Sequence, residues 1–234
     1  VDNEYFRSGA EAARAVGPER RRELRLPGQY FLCVARLVVK KNLPALIEAY
    51  ARYRRGAGSG AWSLVISGSG PMGPELVRHA RLQGAEESIL FTGRLGYAEL
   101  PARYGLAGAF VLPSTSEQWG LVVNEAMASG LPVIVSSQCG CAPELVVEGQ
   151  NGYLVDPRDP AAIEAALGRM AAADPSELER MGMRSAELIR AYSPENFAAG
   201  LERAIQHASA RSRRRQRISR LALRVLSRRK APRT

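Results

Sequence analysis

Cysteine is scarce in this chain. Cys33, Cys139 and Cys141 are the three thiols among 234 residues. They are too few and too oddly spaced for a disulfide framework, which points to a reducing compartment. Histidine is scarcer still. His79 and His207 both fall on expected helices, and neither is given a catalytic role. Long apolar runs are missing: no stretch approaches the roughly 20 uninterrupted apolar residues that span a bilayer. Nothing near Val1 reads as a signal peptide, so a cytoplasmic location is expected. No compositional bias dominates. With 46% hydrophobic and 24% charged residues, the chain is not wholly disordered, collagenous or disulfide-stapled. Its length suits one large α/β domain or one and a half average ones.

Acidic residues are absent from one segment, and that absence explains the net charge of +10. Residues 208–234 hold ten Arg and one Lys and no acid, leaving 22 Lys and Arg against 23 Asp and Glu elsewhere. The body is therefore near neutral, and the basicity belongs to a tail. Within it Ile218, Leu221, Ala222, Val225 and Leu226 keep helical spacing, with Arg217, Arg220, Arg224 and Arg228 off that stripe. Such a basic amphipathic helix suits an anionic membrane surface through Arg211–Lys230, peripheral to a membrane's inner face. A solvated charge run is the alternative. Nucleic acid is not expected, because no aromatic is interleaved for stacking.

The rest of the chain alternates. Short apolar runs at Gln29–Ala35, Ser63–Ile66, Ser88–Phe91, Ala109–Leu112, Pro132–Val135 and Gly152–Val155 read as strands. Helical spacing falls between them, at Leu43–Tyr53, Glu75–Leu82, Ala98–Leu106, Leu121–Ala128 and Pro143–Val147. This alternation predicts a doubly wound, parallel, Rossmann-like sheet of about six strands covered on both faces. Three Asp-Pro or Ser-Pro starts then open helices over Ala161–Ala172, Glu177–Ala191 and Glu195–Ala208. The expected division is a polar lead-in over 1–27, the sheet domain with its C-terminal helices over 28–207, and the tail over 208–234.

Ligands of such sheets bind at the carboxyl ends of the strands. After the first strand, Arg36, Lys40 and Lys41 precede a helix start and form a candidate anion site. After the second, Gly68-Ser69-Gly70-Pro71-Met72-Gly73 matches the dinucleotide fingerprint letter for letter. The match follows the wrong strand, and no ribose-binding acid ends the next one, so a dehydrogenase is rejected. The glycines are expected to let a ligand approach the backbone closely. After the fourth strand, Glu117 sits in a loop, Gly120 where a helix begins, and Glu125 on that helix. The backbone N–H groups of Gly120, Leu121 and Val122 are then free for an anion. Were the whole span helical, the two carboxylates would lie about 12 Å apart, beyond the about 5–9.5 Å of hydrolase pairs. Two acids gripping different parts of one elongated ligand fit better.

Glu117 and Glu125, in the run E-Q-W-G-L-V-V-N-E-A-M-A-S-G-L-P-V-I, resemble the hallmark of the retaining glycosyltransferases of family 4, which have the GT-B fold. Other marks agree in order. Arg36 and Lys41 stand as in the family's G-R-L-x-x-x-K segment, with Ala35 for the usual Gly. Gly68-Ser69-Gly70-Pro71 is similar to its G-x-G-P turn and Phe91-Thr92-Gly93 to its F-x-G. Pro143-Glu144-Leu145-Val146 with Gly149-x-Asn151-Gly152 is similar to its P-E-x-V…G-x-N-G ending. The resemblance covers about residues 1–207, and Val1-Asp2 with Phe6 resembles the segment leading into the family's C-terminal half.

The resemblance implies the donor-binding half of an enzyme whose N-terminal half binds the acceptor, with that acceptor half absent and the isolated fragment inactive. It implies that Arg36 and Lys41 hold the donor's diphosphate with the N–H groups at Gly120–Val122, and that Glu125 accepts from the ribose hydroxyls. Glu117 would hold the donor sugar. Gly68, Gly70 and the Thr92–Leu95 loop, with Gly93, Arg94 and Leu95, would meet the donor and its base. A glycan or lipid-linked acceptor would attack on the leaving-group face, with no protein nucleophile. No metal or cofactor is expected. The four aspartates, Asp2, Asp156, Asp159 and Asp174, form no Asp-x-Asp, and Cys139-Gly140-Cys141, in place of the family's x-G-G turn, lacks further zinc ligands nearby. A nucleotide-sugar-binding module without catalysis is the competing expectation; an epimerase is disfavoured for want of a catalytic His or carboxylate cluster.

Overall fold

The computed structural model describes residues 1–209. Its centre is a six-stranded parallel sheet: β1 Tyr30–Val34, β2 Ser63–Ser67, β3 Ile89–Gly93, β4 Ala109–Leu112, β5 Val133–Ser136 and β6 Gly152–Val155. The strand order is β3-β2-β1-β4-β5-β6, the doubly wound arrangement that the alternation predicts. In the centre, Leu32 of β1 pairs with Val65 on one side and Phe110 on the other.

Strands this apolar are buried on both faces, and period-two alternation assigns each residue a side. Phe31 and Cys33 join a cluster with Leu46, Ile47 and Tyr50 of α3 (Leu43–Ala57) and Ile163 and Leu167 of α8 (Pro160–Ala172). Tyr30 points the other way, its hydroxyl donating to the Arg103 carbonyl (2.7 Å) of α5 (Leu100–Leu106). Helix α4 (Gly73–Leu82) packs beside α3, while α6 (Leu121–Ala128) packs beside α9 (Pro175–Ile189) on the opposite face. The short α7 is Ala142–Leu145. Asp159 and Asp174 cap α8 and α9 as their Asp-Pro pairs predict, accepting from Ala161 N and Glu177 N.

The expected lead-in is folded. Asp2 accepts from Tyr5 N and opens α1 (Asn3–Val16), and α2 (Pro18–Glu23) follows. Phe6, Ala10 and Ala13 form one buried stripe of α1 that packs against α5 and α6. The approach to α5 is close: a Cβ on Gly105 would lie 2.6 Å from the Ala10 carbonyl oxygen. Phe6 then meets Tyr104 edge-on, ring centres 5.8 Å apart.

Val1–Ala191 form one compact unit, and the chain from Tyr192 onward belongs to a second. The helix expected over Glu195–Ala208 falls in that second unit, where residues 194–209 are helical. The tail expected to lie on a membrane falls, from residue 210 on, outside the described residues. Among the described residues no helix is long and apolar enough to cross a membrane.

Candidate functional site

The strand order reverses between β1 and β4. The chain leaves β1 for α3 on one face and leaves β4 for α6 on the other, so the two loops diverge and open a crevice at the carboxyl ends. A cleft of about 540 Å³ lies there, lined by Ala35 and Arg36 after β1, Ser67 at the end of β2 with Gly68–Gly70 after it, Arg94 and Leu95 after β3, and Leu100 and Val122. Its lining holds two guanidiniums and no carboxylate. Arg36 and Arg94 are both exposed, and their side chains make no ion pair or hydrogen bond among the described residues. Six sequence-predicted residues, Arg36, Gly68, Gly70, Arg94, Leu95 and Val122, thus share this cleft; Lys41, Gly93, Glu117, Gly120, Leu121 and Glu125 stand outside its lining.

The glycines also have a structural role. A Cβ on Gly68 would lie 1.8 Å from the Ala35 carbonyl oxygen, and one on Gly70 2.4 Å from that of Leu37. Leu37 N donates to Ser69 O (3.0 Å) and Met72 N to Leu37 O (3.1 Å). The space a side chain would fill is occupied by the β1–α3 loop. These glycines let two protein backbones approach each other and so hold Arg36 at the cleft. Gly68 N donates in turn to Gly93 O (2.8 Å), which ties in the loop carrying Arg94.

Glu117 is positioned by a second backbone contact. It forms a parallel bridge with Cys139; Gly140 N donates to Glu117 O (2.9 Å) and Cys141 N to Trp119 O (3.2 Å). A Cβ on Gly140 would fall 1.9 Å from the Gln118 carbonyl oxygen. The Cys139-Gly140-Cys141 turn is therefore a backplate for the Glu117 loop. Its thiols are buried and held protonated: burial pushes Cys139 up to about 11 and Cys141 up to about 12. Cys33, on β1, is likewise pushed up to about 12.

Across the crevice, the Lys41 ammonium pairs with the Glu117 carboxylate, with side chains only 11% and 15% exposed. Residues from the ends of β1 and β4 thus meet at the switch point. Helix α6 starts at Leu121, after Gly120 at φ +105°, with no side-chain cap. Because residues 117–120 are not helical, the all-helical spacing of the two glutamates does not hold. Glu125, half-buried on α6, accepts a hydrogen bond from the Tyr104 hydroxyl (2.9 Å). Burial raises its pKa, and that hydrogen bond pulls it partly back. The Tyr104 phenol is pushed well above its usual range, first by its own burial.

Two residues escape sequence reasoning. Tyr104 reads only as a helix residue, and nothing local marks it as the partner of Glu125. Asn42 carries a weak local signal, since asparagine tolerates left-handed backbone. It sits at φ +57°, and its amide reaches Pro113 O (3.2 Å) and Pro157 O (2.6 Å).

The model of the family "Glycosyl transferases group 1" matches residues 18–188. The GDP-mannose-dependent α-(1-6)-phosphatidylinositol monomannoside mannosyltransferase of Mycolicibacterium smegmatis is 37% identical over 159 residues, covering 65% of this chain and 41% of that protein. Among solved structures, sucrose-phosphate synthase from Thermosynechococcus elongatus superposes with a TM-score of 0.73 at 27% identity, over 90% of this chain and 51% of that one. The C-terminal domain of a glycosyl transferase group 1 family protein from Francisella tularensis does so with a TM-score of 0.68 at 26% identity, over 83% of this chain and 99% of that domain. The chain spans about two fifths of the length of the curated relatives it matches.

Proposed function

The chain belongs to the group 1 glycosyl transferases, and on that premise we propose that it is the donor-binding half of an enzyme that moves a sugar from a nucleoside-diphosphate sugar to an acceptor. The Rossmann-like unit is then one half of a GT-B fold. The acceptor-binding half lies outside this chain, which by itself transfers little or no sugar.

The observation that carries this reading is the charge of the cleft. Two guanidiniums, unpaired among the described residues, and no carboxylate line a crevice at the carboxyl ends of the strands, with Lys41 beside it. Sugar transfer leaves a nucleoside diphosphate, whose negative charge grows as the glycosidic bond breaks. Cations fixed where that charge develops stabilise the transition state more than the ground state. Arg36 supplies a planar fork and Lys41 a point charge, and the N–H groups at Gly120–Val122 add dipoles without a counter-charge. Glu117, adjoining Lys41, takes hydroxyls of the sugar next to the diphosphate. Glu125 takes the ribose hydroxyls. The backbone of Arg94 and Leu95 meets the base. With both glutamates on ligand hydroxyls, no protein nucleophile is needed, which fits retention by attack on the leaving-group face. With Arg36, Lys41 and the N–H groups at Gly120–Val122 meeting that charge, no metal is required. The basic segment Arg211–Lys230 would hold the enzyme to an anionic membrane surface.

Calorimetric titration tests the reading. ADP, GDP and UDP are compared with their nucleosides. A clear preference for one diphosphate over its nucleoside is expected. Equal weak binding of all six would overturn the donor-site assignment.

A further inference from the structure

Asn42 stands at the start of α3 in left-handed backbone, φ +57° and ψ +33°. Glycine would adopt that conformation with less strain, so the conformation alone does not call for asparagine. What asparagine adds is its amide. Nδ2 lies 3.2 Å from the Pro113 carbonyl oxygen and 2.6 Å from that of Pro157. Both partners can only accept, which fixes the NH2 end as the one that faces them. Pro113 directly follows β4, and Pro157 lies two residues past β6. One side chain therefore joins the loops after β1, β4 and β6. Two residues earlier, the Lys40 carbonyl accepts from Thr115 N (2.9 Å) and lies 3.3 Å from Thr115 Oγ1, so the same turn is tied a second time to the β4–α6 loop. Lys41 sits between these two ties. Its backbone is held on both sides, and its ammonium faces Glu117 of the loop to which it is tied.

We propose that Asn42 is a positioning residue: its amide clamps the Lys41-bearing turn across the switch point, so that the ammonium is aimed at the donor's diphosphate. A lysine head on a flexible four-carbon stem is a poorly directed charge unless the backbone beneath it is fixed. The proposal rests on the donor reading above, and the experiment separates the two.

Asn42→Gly keeps the left-handed backbone and deletes the amide. Binding of ADP, GDP, UDP and their nucleosides to the full chain is measured by calorimetry, and the base that binds best is carried forward. Asn42→Gly is expected to weaken that diphosphate by about tenfold at most, the worth of one good hydrogen bond, and to leave the nucleoside unchanged. In a Lys41→Ala background the same substitution should cost little more, because residues that act through one another are not additive. A merely structural role would lower both ligands alike, or add fully to Lys41→Ala; either outcome overturns the proposal. So does a variant that no longer folds, since the amide would then be a folding element. If the unmodified chain prefers no diphosphate, the donor reading fails instead.

Discussion

Replacing Glu117 with glutamine should tighten, not weaken, the binding of a bare nucleoside diphosphate. The reason is the pairing of Lys41 with Glu117 in a mostly buried setting. A diphosphate that recruits Lys41 must share or break that pair, and it must also approach the Glu117 carboxylate. Glutamine keeps the shape of the side chain and removes both costs. A hydrogen bond to a charged group contributes about 1.5–3 kcal/mol. Lysine has three donors and can share, so only part of this is recovered. A gain of about 1–2 kcal/mol is expected, a factor of about 5–30 in affinity. The nucleotide sugar should respond differently, because glutamine loses the charge-assisted bonds that Glu117 would make to the sugar hydroxyls. Its affinity should rise less, or fall. Calorimetry with the diphosphate and its sugar conjugate, on the native chain and Glu117→Gln, reads both numbers. If Glu117→Gln weakens the bare diphosphate or leaves it unchanged, Lys41 is not the group that Glu117 withholds from phosphate.

Arg36→Ala should weaken diphosphate binding by about 1.5–3 kcal/mol while sparing the nucleoside; equal losses would show that Arg36 does not touch phosphate. The three thiols should resist alkylation at pH 8 in the folded chain and all react in denaturant, and rapid labelling of Cys139 without unfolding would contradict its burial. Their folded-state values, about 11 to 12, lie above the ordinary thiol value near about 8.5, so the folded state binds those protons more tightly. Their contribution to stability is complete below that ordinary value and is lost as pH rises toward 11–12. The denaturant midpoint should therefore fall between pH 9 and 11; a midpoint that rises over that range would refute the assignment. Deleting residues 209–234 should leave thermal melting intact and abolish co-sedimentation with anionic vesicles, more completely at low salt; unchanged sedimentation would assign the tail to solvent.

The sheet was legible because its signals are local and repeated. Short apolar runs such as Ser63–Ile66 and Ala109–Leu112 have one good reading as buried parallel strands, and Asp159-Pro160 and Asp174-Pro175 mark helix starts by their own chemistry. Single-residue identities at the strand ends were legible for the same reason: Arg36 and Arg94 lie where any doubly wound sheet would present them. What could not be read was whatever depends on two segments meeting. Gly68 and Gly70 carry no mark to tell a ligand's approach from that of the Ala35–Leu37 backbone. The Cys139-Gly140-Cys141 turn gives no hint that it backs Glu117 from 22 residues away. The pairing of Tyr104 with Glu125 needs α5 and α6 to be neighbours, which follows only from the crossover geometry. Helix α1 is hard to read from sequence because Phe6, Ala10 and Ala13 form a thin stripe in a charged segment, and its worth lies in a close fit to Gly105.

Hydrogen–deuterium exchange of the full chain, with and without a saturating nucleoside diphosphate, tests the central claim most directly, because it locates the ligand without a mutation. Protection is predicted in the loop of Arg36–Asn42, in the Gly93–Leu95 loop and at the start of α6, Gly120–Val122, with the edge helices α4 and α8 unchanged. Saturable binding that leaves those three segments unprotected, or that protects another surface instead, would contradict the assignment of the switch-point crevice as the donor's diphosphate site.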